Sequence, residues 1–149
     1  MRLPGEIEER TTVNGYVSLV DLFPSIMDYL EIGAQKSDGK SLRGLIEGSD
    51  NDHGRYVVTE WDYRGDISPN YMVIKDGWKL IIPYSKSSDV INALYNLNDD
   101  PYEMNNLIGK NPERAHYAEK VQELKGCLLE WLEKNHSKHY NGVQERDLI

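Results

Sequence analysis

A long segment between two strand-like runs concentrates the side chains that could bind a substrate. Residues 61–70 begin Trp61-Asp62-Tyr63-Arg64 and far exceed the two residues that a hairpin turn needs. Trp61 and Tyr63 could stack on a sugar face, and Arg64 could pair with a sulfate or carboxylate through its parallel N–H groups. We therefore take Trp61, Asp62, Tyr63 and Arg64 as candidate substrate-binding residues. The sequence supports an alternative equally, in which Trp61 caps the sheet core and Arg64 pairs with a neighbouring aspartate.

Other reactive residue types do not assemble into a predicted catalytic or metal site. Cys127 lies within an apolar helical pattern and is interpreted as a small apolar helix residue. His136 and His139 share a helical face, but no carboxylate or cysteine completes a metal site. The Asp-His-Gly sequence at 52–54 is interpreted as a turn, because no acidic cluster lies nearby. We therefore predict no catalytic residue and no metal ligand in this chain.

Composition and charge exclude several classes of partner. The chain has 149 residues, of which 39% are hydrophobic and 28% charged, as in a globular domain. Its 17 basic and 25 acidic residues give a net charge of −8, which argues against nucleic acid or an anionic membrane surface. No apolar run is long enough to span a membrane, and the N-terminus lacks the order of a signal peptide. A single cysteine forms no internal disulfide and leaves the redox compartment open.

Four strand-like runs separated by turn residues predict an antiparallel sheet. They are Tyr56 to Trp61, Tyr71 to Lys75, Trp78 to Pro83 and Ala93 to Leu97. The dipeptide Asp76-Gly77 joins the middle two and favours a type I′ hairpin with positive φ at both residues. This turn sets the register of the hairpin and its more apolar face. The predicted pairs are Lys75 with Trp78, Val73 with Leu80, and Tyr71 with Ile82.

An apolar helix is predicted near the N-terminus. Ser18 and Asp21 fit an N-cap pair, and apolar residues then recur at spacings of three and four. They are Leu19, Leu22, Phe23, Ile26, Met27 and Leu30, with Val20 widening the stripe. So broad an apolar surface favours a missing N-terminal domain that covers part of it over an ordinary core. We expect the isolated chain to expose this face and to self-associate or bind a hydrophobic dye.

A longer helix is predicted after Asn111, which would cap it, with Pro112 at the first position. Its apolar stripe is too short for a coiled coil and is expected to pack on the sheet. The stripe consists of Tyr117, Val121, Leu124, Leu128 and Trp131. Gly126 costs about 1 kcal/mol relative to alanine, so either another group approaches closely or the helix tolerates it. Residues after His136 are expected to fray.

The run from Ala93 to Leu107 carries the most specific pattern in the chain. Asp100-Pro101 ends a strand, and Asp100 is predicted to cap a short helix with Glu103 as capping-box partner. The run resembles the Leu-Tyr-Asp-Leu-x-x-Asp-Pro-x-Glu-x-x-Asn-Leu signature near the C-terminus of the sulfatase family, with Asn96 where aspartate is usual. Further segments agree in family order. These are Arg2-Leu3-Pro4-Gly5, Val17 to Leu30, Asp38 to Leu42 and Lys75 to Ile81.

The resemblance implies an α+β fold, a four-stranded antiparallel sheet packed by a long C-terminal helix and preceded by an N-terminal junction helix. Residues 1–33 would be a strand end and helix from the junction with a missing N-terminal catalytic domain. Residues 34–55 would be a surface connection, and 56–149 the C-terminal sulfatase subdomain. The catalytic domain of the same protein is the implied partner. It would use formylglycine and a divalent cation, calcium, with no cofactor in this fragment.

The implied function is that of the C-terminal portion of a sulfatase that hydrolyses sulfate esters, with sulfated glycans the favoured substrates. The fragment would complete the fold and shape the substrate cleft, and the parent would be periplasmic or secreted. Two alternatives stay open. One is the C-terminal part of a phosphonate or phosphate monoester hydrolase of the same alkaline-phosphatase-like superfamily, and the other is a non-catalytic interaction module. Because the family's nucleophile motif is not in this segment, the fragment alone is expected to hydrolyse no sulfate ester.

Overall fold

The hairpin at Asp76-Gly77 organises a four-stranded antiparallel sheet in the computed structural model, which describes residues 3–33, 36–49, 55–61, 69–83 and 91–149. Both turn residues adopt positive φ, 48° and 78°, as a type I′ turn requires. The strands are β1 (Val57–Trp61), β2 (Asn70–Lys75), β3 (Trp78–Pro83) and β4 (Ala93–Asn96), adjacent in that order. The predicted register is confirmed at all three residue pairs.

The helices lie on either side of the strands in the sequence. They are α1 (Leu22–Tyr29) after a 3-10 turn at Leu19–Asp21, α2 (Arg43–Ile46), α3 (Ala118–Lys134) after a 3-10 turn at Arg114–Tyr117, and α4 (Tyr140–Gln144). The long helix α3 begins later than predicted. The Asn111 side chain accepts the N–H of Glu113 at 2.9 Å, which forms a local turn before the helix. Within the described ranges, none of these helices has both the length and the apolar composition that crossing a bilayer requires.

Helix α3 packs across one face of the sheet and builds the core with it. Its stripe contributes Val121, Leu124 and Leu128, all fully buried, against β2 and β3. The other buried members of this core are Tyr71, Val73, Leu80, Ile82, Leu94, Ile108, Leu132, Val143 and Leu148. The opposite sheet face is only half-buried, as alternation along the strands predicts. The α+β architecture predicted from the sequence is confirmed.

The C-terminal residues do not fray. The Ser137 N–H donates to the Leu132 carbonyl at 2.9 Å, and the chain turns back into α4. Val143 and Leu148 are then only 1% and 2% exposed. The prediction of a fraying tail is therefore wrong. Val143 and Leu148 are too far apart in the sequence to form a helical stripe, so the pattern did not indicate a packed element here. Their burial is decided by the surface that α3 and the sheet offer, which no local pattern reveals.

The chain divides into two compact units, Met1–Arg55 and Tyr56–Ile149. All the buried hydrophobic side chains of the described residues belong to the second unit. In the described part of the first unit the buried residues are Asp21 and Ser25, both polar. The first unit is therefore held largely by polar contacts. The roles predicted for segments 1–33, 34–55 and 56–149 stay a prediction.

Candidate functional site

Trp61, the first candidate substrate-binding residue, ends β1 and is 66% exposed. Trp61 pairs with Asn70 of β2, and the next residue, Tyr71, belongs to the core. Because successive side chains of a strand point to opposite faces, Trp61 lies on the sheet face away from α3. Trp61 therefore does not cap the core, and that part of the alternative is wrong, whereas the pairing of Arg64 with a neighbouring aspartate stays a prediction. Asp62, Tyr63 and Arg64 lie outside the described residues, so their part in substrate binding stays a prediction.

The strand end that presents Trp61 is held firmly. β1 pairs with β2 along its whole length, and the buried Tyr71 hydroxyl donates to Glu60 Oε1 at 3.0 Å. The pairing fixes the backbone position of Trp61, and its exposed ring is accessible to a flat ligand. The position of Trp61 is thus compatible with the predicted sugar contact.

Asp100 begins a turn rather than the predicted short helix. Its carboxylate oxygens accept the N–H groups of Met104 and Asn105 at 3.0 and 2.8 Å. Glu103 has a φ of 57°, and its carboxylate accepts hydrogen bonds from Lys79 Nζ at 2.8 and 2.9 Å. The prediction of a helix with Glu103 as capping-box partner is wrong, because a left-handed residue cannot continue a right-handed helix. Asp100 therefore caps no helix, although its carboxylate does bind backbone N–H groups of this turn, and Lys79 ties the turn to β3.

Asn106 closes the outer edge of β4. Its Oδ1 accepts the N–H of Leu94 at 3.1 Å, and its Nδ2 donates to the Asn92 carbonyl at 2.9 Å. The Leu107 N–H also donates to the Leu94 carbonyl at 2.9 Å. These bonds satisfy the strand edge much as a neighbouring strand would. The Asn-Leu pair that ends the family signature is therefore explained as an edge cap.

Asn96, where the family signature usually has aspartate, has local partners of its own. Its Nδ2 donates to Asp99 Oδ2 at 2.5 Å, and its Oδ1 accepts the N–H of Asn98 at 3.2 Å. An aspartate at this position would place a second carboxylate against Asp99. The amide at 96 therefore suits the acidic turn that follows it.

Asp21 joins three segments of the first unit. Its carboxylate accepts the N–H of Ser18 at 2.7 Å, the N–H of Lys40 at 3.0 Å and the Arg55 guanidinium at 2.5 Å. The pairing with Ser18 that the sequence predicts is confirmed. The links to Lys40 and Arg55 were not predicted, because partners 19 and 34 residues away leave no local pattern.

The surroundings of Asp21 favour its charged form. Burial alone would raise the pKa of this carboxyl, but the N–H groups of Lys40 and Ser18 and the Arg55 guanidinium together hold the pKa below its usual value of 3.8. The group is therefore ionised at neutral pH and fully bonded. It acts as a structural anchor and has no proton to donate.

The segment from Asp38 to Leu42 docks on the polar side of α1. The Leu42 N–H donates to Ser25 Oγ at 2.8 Å, and the Ser41 hydroxyl donates to Asp28 Oδ2 at 2.6 Å. A Cβ at Gly39 would lie 2.2 Å from the Val20 carbonyl oxygen, so only glycine fits there. A second family-like segment is thus explained by backbone packing on α1.

Within the described ranges, no group of three or more His, Cys, Asp or Glu side chains could hold a metal ion. Burial raises the pKa of the Cys127 thiol, and Lys75 offsets this only in part, so the thiol is protonated at neutral pH. The interpretation of Cys127 as a helix residue agrees with its half-buried position in α3. The tripeptide 52–54 lies outside the described residues.

The braced four-stranded sheet, the helix across it and the signature turn define a C-terminal α+β subdomain of the sulfatase type. The chain matches the model of the family described as N-sulphoglucosamine sulphohydrolase, C-terminal, over residues 1–134. This match covers most of the chain, so the chain belongs to this family and is a sulfatase C-terminal region. The family resemblance inferred from the sequence is confirmed.

Named relatives and solved structures agree with this assignment. Arylsulfatase K of Gallus gallus is 32% identical over 126 residues, which are 79% of this chain and 23% of that protein. N-acetylglucosamine-6-O-sulfatase of Bacteroides thetaiotaomicron is 27% identical over 137 residues, 87% of this chain and 24% of that protein. A crystal structure of a Bacteroides fragilis protein assigned as a sulfatase has a TM-score of 0.74 at 15% identity, over 94% of this chain and 30% of its own, and shares the fold. The chain thus spans about a quarter of the length of these curated relatives.

Proposed function

We propose that the chain is the C-terminal part of an enzyme that hydrolyses sulfate esters of glycans, and that it completes the fold around a separate catalytic domain. The observation that carries this proposal is the family match over residues 1–134. The name of one relative, N-acetylglucosamine-6-O-sulfatase, supports a sulfated amino sugar as the substrate class. The names of the matched relatives favour a sulfate ester over a phosphate or phosphonate ester.

The family's formylglycine and divalent cation belong to the rest of the parent enzyme under this proposal. The described residues do not fit either group, since they hold no cluster of metal-ligating side chains and Cys127 is followed by Leu128-Leu129-Glu130-Trp131, which does not match the family's nucleophile motif. No chemical step is therefore assigned to this chain. Its contribution is to position and to bind.

The segment Trp61 to Arg64 is the proposed substrate contact of this subdomain. The exposed position of Trp61 at the end of β1 supports an aromatic platform. Arg64 would pair with the sulfate or carboxylate of a sugar bound beyond the one being hydrolysed. A small aryl sulfate would not extend to this segment, so its hydrolysis would not depend on Arg64.

The proposal is tested with the full-length parent enzyme, first on a sulfated amino-sugar oligosaccharide and on a chromogenic aryl sulfate. Arg64→Ala should lower kcat/KM about ten- to a hundredfold on the oligosaccharide, as expected for a charge-assisted contact of about 1.5–3 kcal/mol. The same variant should leave aryl sulfate hydrolysis unchanged. Arg114→Ala, an exposed arginine elsewhere in the subdomain, is the matched control. Equal losses on both substrates, or none on either, would show that Arg64 is not a substrate contact.

A further inference from the structure

The sheet face away from α3 carries an unpaired amide beside Trp61. Asn70 of β2 is the cross-strand partner of Trp61. Cross-strand partners point to the same face of a sheet, with their Cβ atoms about 4.5–5.5 Å apart. Trp61 is 66% exposed, and Asn70 is half-buried. Within the described part of the chain the Asn70 side chain forms no hydrogen bond, so its N–H donors and its carbonyl acceptor are available to a ligand.

Uncharged residues surround this pair on the same sheet face. Thr59 lies two positions before Trp61 in β1, points to the same side and is exposed. The pairing of β1, β2 and β3 adds the remaining neighbours, which are Met72, Ile81 and Pro83. None of these named side chains is charged, whereas the whole chain has a net charge of −8. Together they offer an aromatic ring, an amide and a hydroxyl, but no cation that would attract an anionic group.

Bonds on several sides hold the strand ends that carry Trp61 and Asn70. β2 lies between β1 and β3, so Asn70 pairs with Trp61 on one side and with Pro83 on the other. The Arg146 guanidinium donates to the Pro83 carbonyl and ties this row of residues to the C-terminal tail. The fold therefore sets the backbone positions of Trp61 and Asn70 before a ligand binds, as a binding site on rigid elements requires.

A sugar ring has the two kinds of surface that this pair can contact. Its C–H groups form an apolar face that stacks on an indole, and the polar groups at its edge exchange hydrogen bonds with an amide. We infer that Trp61 and Asn70 together bind an uncharged amino-sugar ring of the substrate, and that Asn70 recognises the polar edge of that ring. The inference rests on the proposed function in taking a glycan as the substrate. It gives Asn70 a role separate from that of Arg64, which would bind an anion.

Binding to the chain itself tests the inference without any enzyme activity. In NMR spectra of the 149-residue chain, an N-acetylglucosamine trisaccharide should shift the Trp61 indole N–H and the Asn70 side-chain amide with one common midpoint. Asn70→Ala should weaken this binding roughly three- to tenfold, the loss expected for neutral hydrogen bonds, and should leave the amide signals of β3 and α3 unchanged. Asn141→Ala removes an exposed amide in α4 and is the matched control. No shift at either group, or an unchanged affinity of Asn70→Ala, would overturn the inference.

Kinetics of the full-length parent separate this inference from the proposed function. On a sulfated amino-sugar trisaccharide, Asn70→Ala should raise KM roughly three- to tenfold and leave kcat unchanged, while hydrolysis of an aryl sulfate should not change. This effect should be equal at low and high salt because Asn70 is neutral, whereas the effect of Arg64→Ala should shrink as salt screens its charge.

Two outcomes distinguish the failure of one proposal from the failure of the other. A parent that hydrolyses sulfate esters equally well with Asn70→Ala, and whose Trp61 resists oxidation by N-bromosuccinimide, would show that the protein itself covers this face. That result would refute the inference and leave the proposed function intact. Trisaccharide binding at Trp61 and Asn70 in a parent without sulfatase activity would support the inference and refute the proposed function.

Discussion

At the scale of single residues, one glycine could be replaced by alanine without a clash, whereas another is required by its backbone conformation. Gly126 lies in the middle of α3, and a Cβ built there meets nothing within 4 Å. The close approach that the sequence left open is therefore absent at this position. Gly77 is different, because it has a φ of +78° and a Cβ there would lie 2.3 Å from the Asn98 side chain.

We expect Gly126→Ala to stabilise the second unit by about 0.5–1 kcal/mol, since alanine gains helix propensity and clashes with nothing. The free energy of unfolding can be measured with urea and tryptophan fluorescence, because all three tryptophans lie in Tyr56–Ile149. Gly77→Ala should destabilise the same unit by about 1–2 kcal/mol, as a left-handed position requires. A destabilised Gly126→Ala variant would mean that another group does approach this side of α3.

Asp21 gives a prediction of pH dependence. Its pKa is lower in the folded chain than in the unfolded chain, so the stability it contributes is present above the unfolded pKa of about 4 and is lost as the pH falls toward the folded value. The first unit should therefore weaken in acid. Asp21→Asn should destabilise it by about 1–3 kcal/mol at neutral pH, because Arg55 loses its charged partner, and should remove this acid dependence.

The amide proton shifts of Ser18 and Lys40 report on this carboxylate directly, because both groups donate to it. Both shifts should titrate together, with a midpoint below that of an ordinary aspartate. Asp38→Asn removes an exposed carboxyl from the neighbouring segment and should leave that midpoint unchanged. A midpoint above that of an ordinary aspartate would show that burial outweighs the hydrogen bonds and Arg55.

At the scale of elements, the C-terminal tail, residues 140–149, binds to α3. The buried Lys125 ammonium donates to the carbonyl oxygens of Gln144 and Arg146 at 2.9 and 2.7 Å. Desolvation lowers the pKa of Lys125, and the charge of Asp147 offsets this only in part. The Arg146 guanidinium in turn donates to the Pro83 carbonyl of β3. The tail thus holds both the helix and the sheet.

Deleting residues 140–149 should destabilise the second unit by about 3–6 kcal/mol, because two buried apolar side chains, Val143 and Leu148, each contribute about 1.5–3 kcal/mol. Lys125 would also lose both of its acceptors. Urea denaturation followed by tryptophan fluorescence measures the loss. Glu145→Ala alters an exposed tail residue and should be neutral. An unchanged unfolding midpoint after the deletion would mean that the tail contributes nothing to the core.

Local chemistry explains which elements could be predicted from the sequence. Asp76-Gly77 can adopt few backbone conformations, so it fixed the register of β2 and β3 in advance. The α3 stripe was predictable because its apolar residues recur at helical spacing and the same residues are buried. The turn at Glu103 was not, since its left-handed backbone is stabilised by Lys79, which is 24 residues away. Of the candidate site, only the exposure of Trp61 is now established, because the segment that follows it lies outside the described residues.

At the scale of the whole molecule, the two units are stabilised by different kinds of interaction. The second unit has a core of buried aliphatic and aromatic side chains between α3 and the sheet. The described part of the first unit has no buried hydrophobic side chain, and its bonds converge on Asp21, Ser25 and Asp28. Because burial of apolar surface is the main source of stability, the two units should differ widely in their free energy of opening.

We therefore predict that the isolated chain does not unfold in one step. In native-state hydrogen exchange at increasing urea, amides in residues 18–46 should open first and with little free energy. Amides in β2, β3 and α3 should open together at a higher value, in the transition that tryptophan fluorescence detects. Phe23→Asp should leave the second transition unchanged, whereas Leu124→Ala should lower it by about 2–5 kcal/mol through a core cavity. A single transition that includes both groups of amides and is shifted by both substitutions would show that the two units unfold cooperatively, contrary to this prediction.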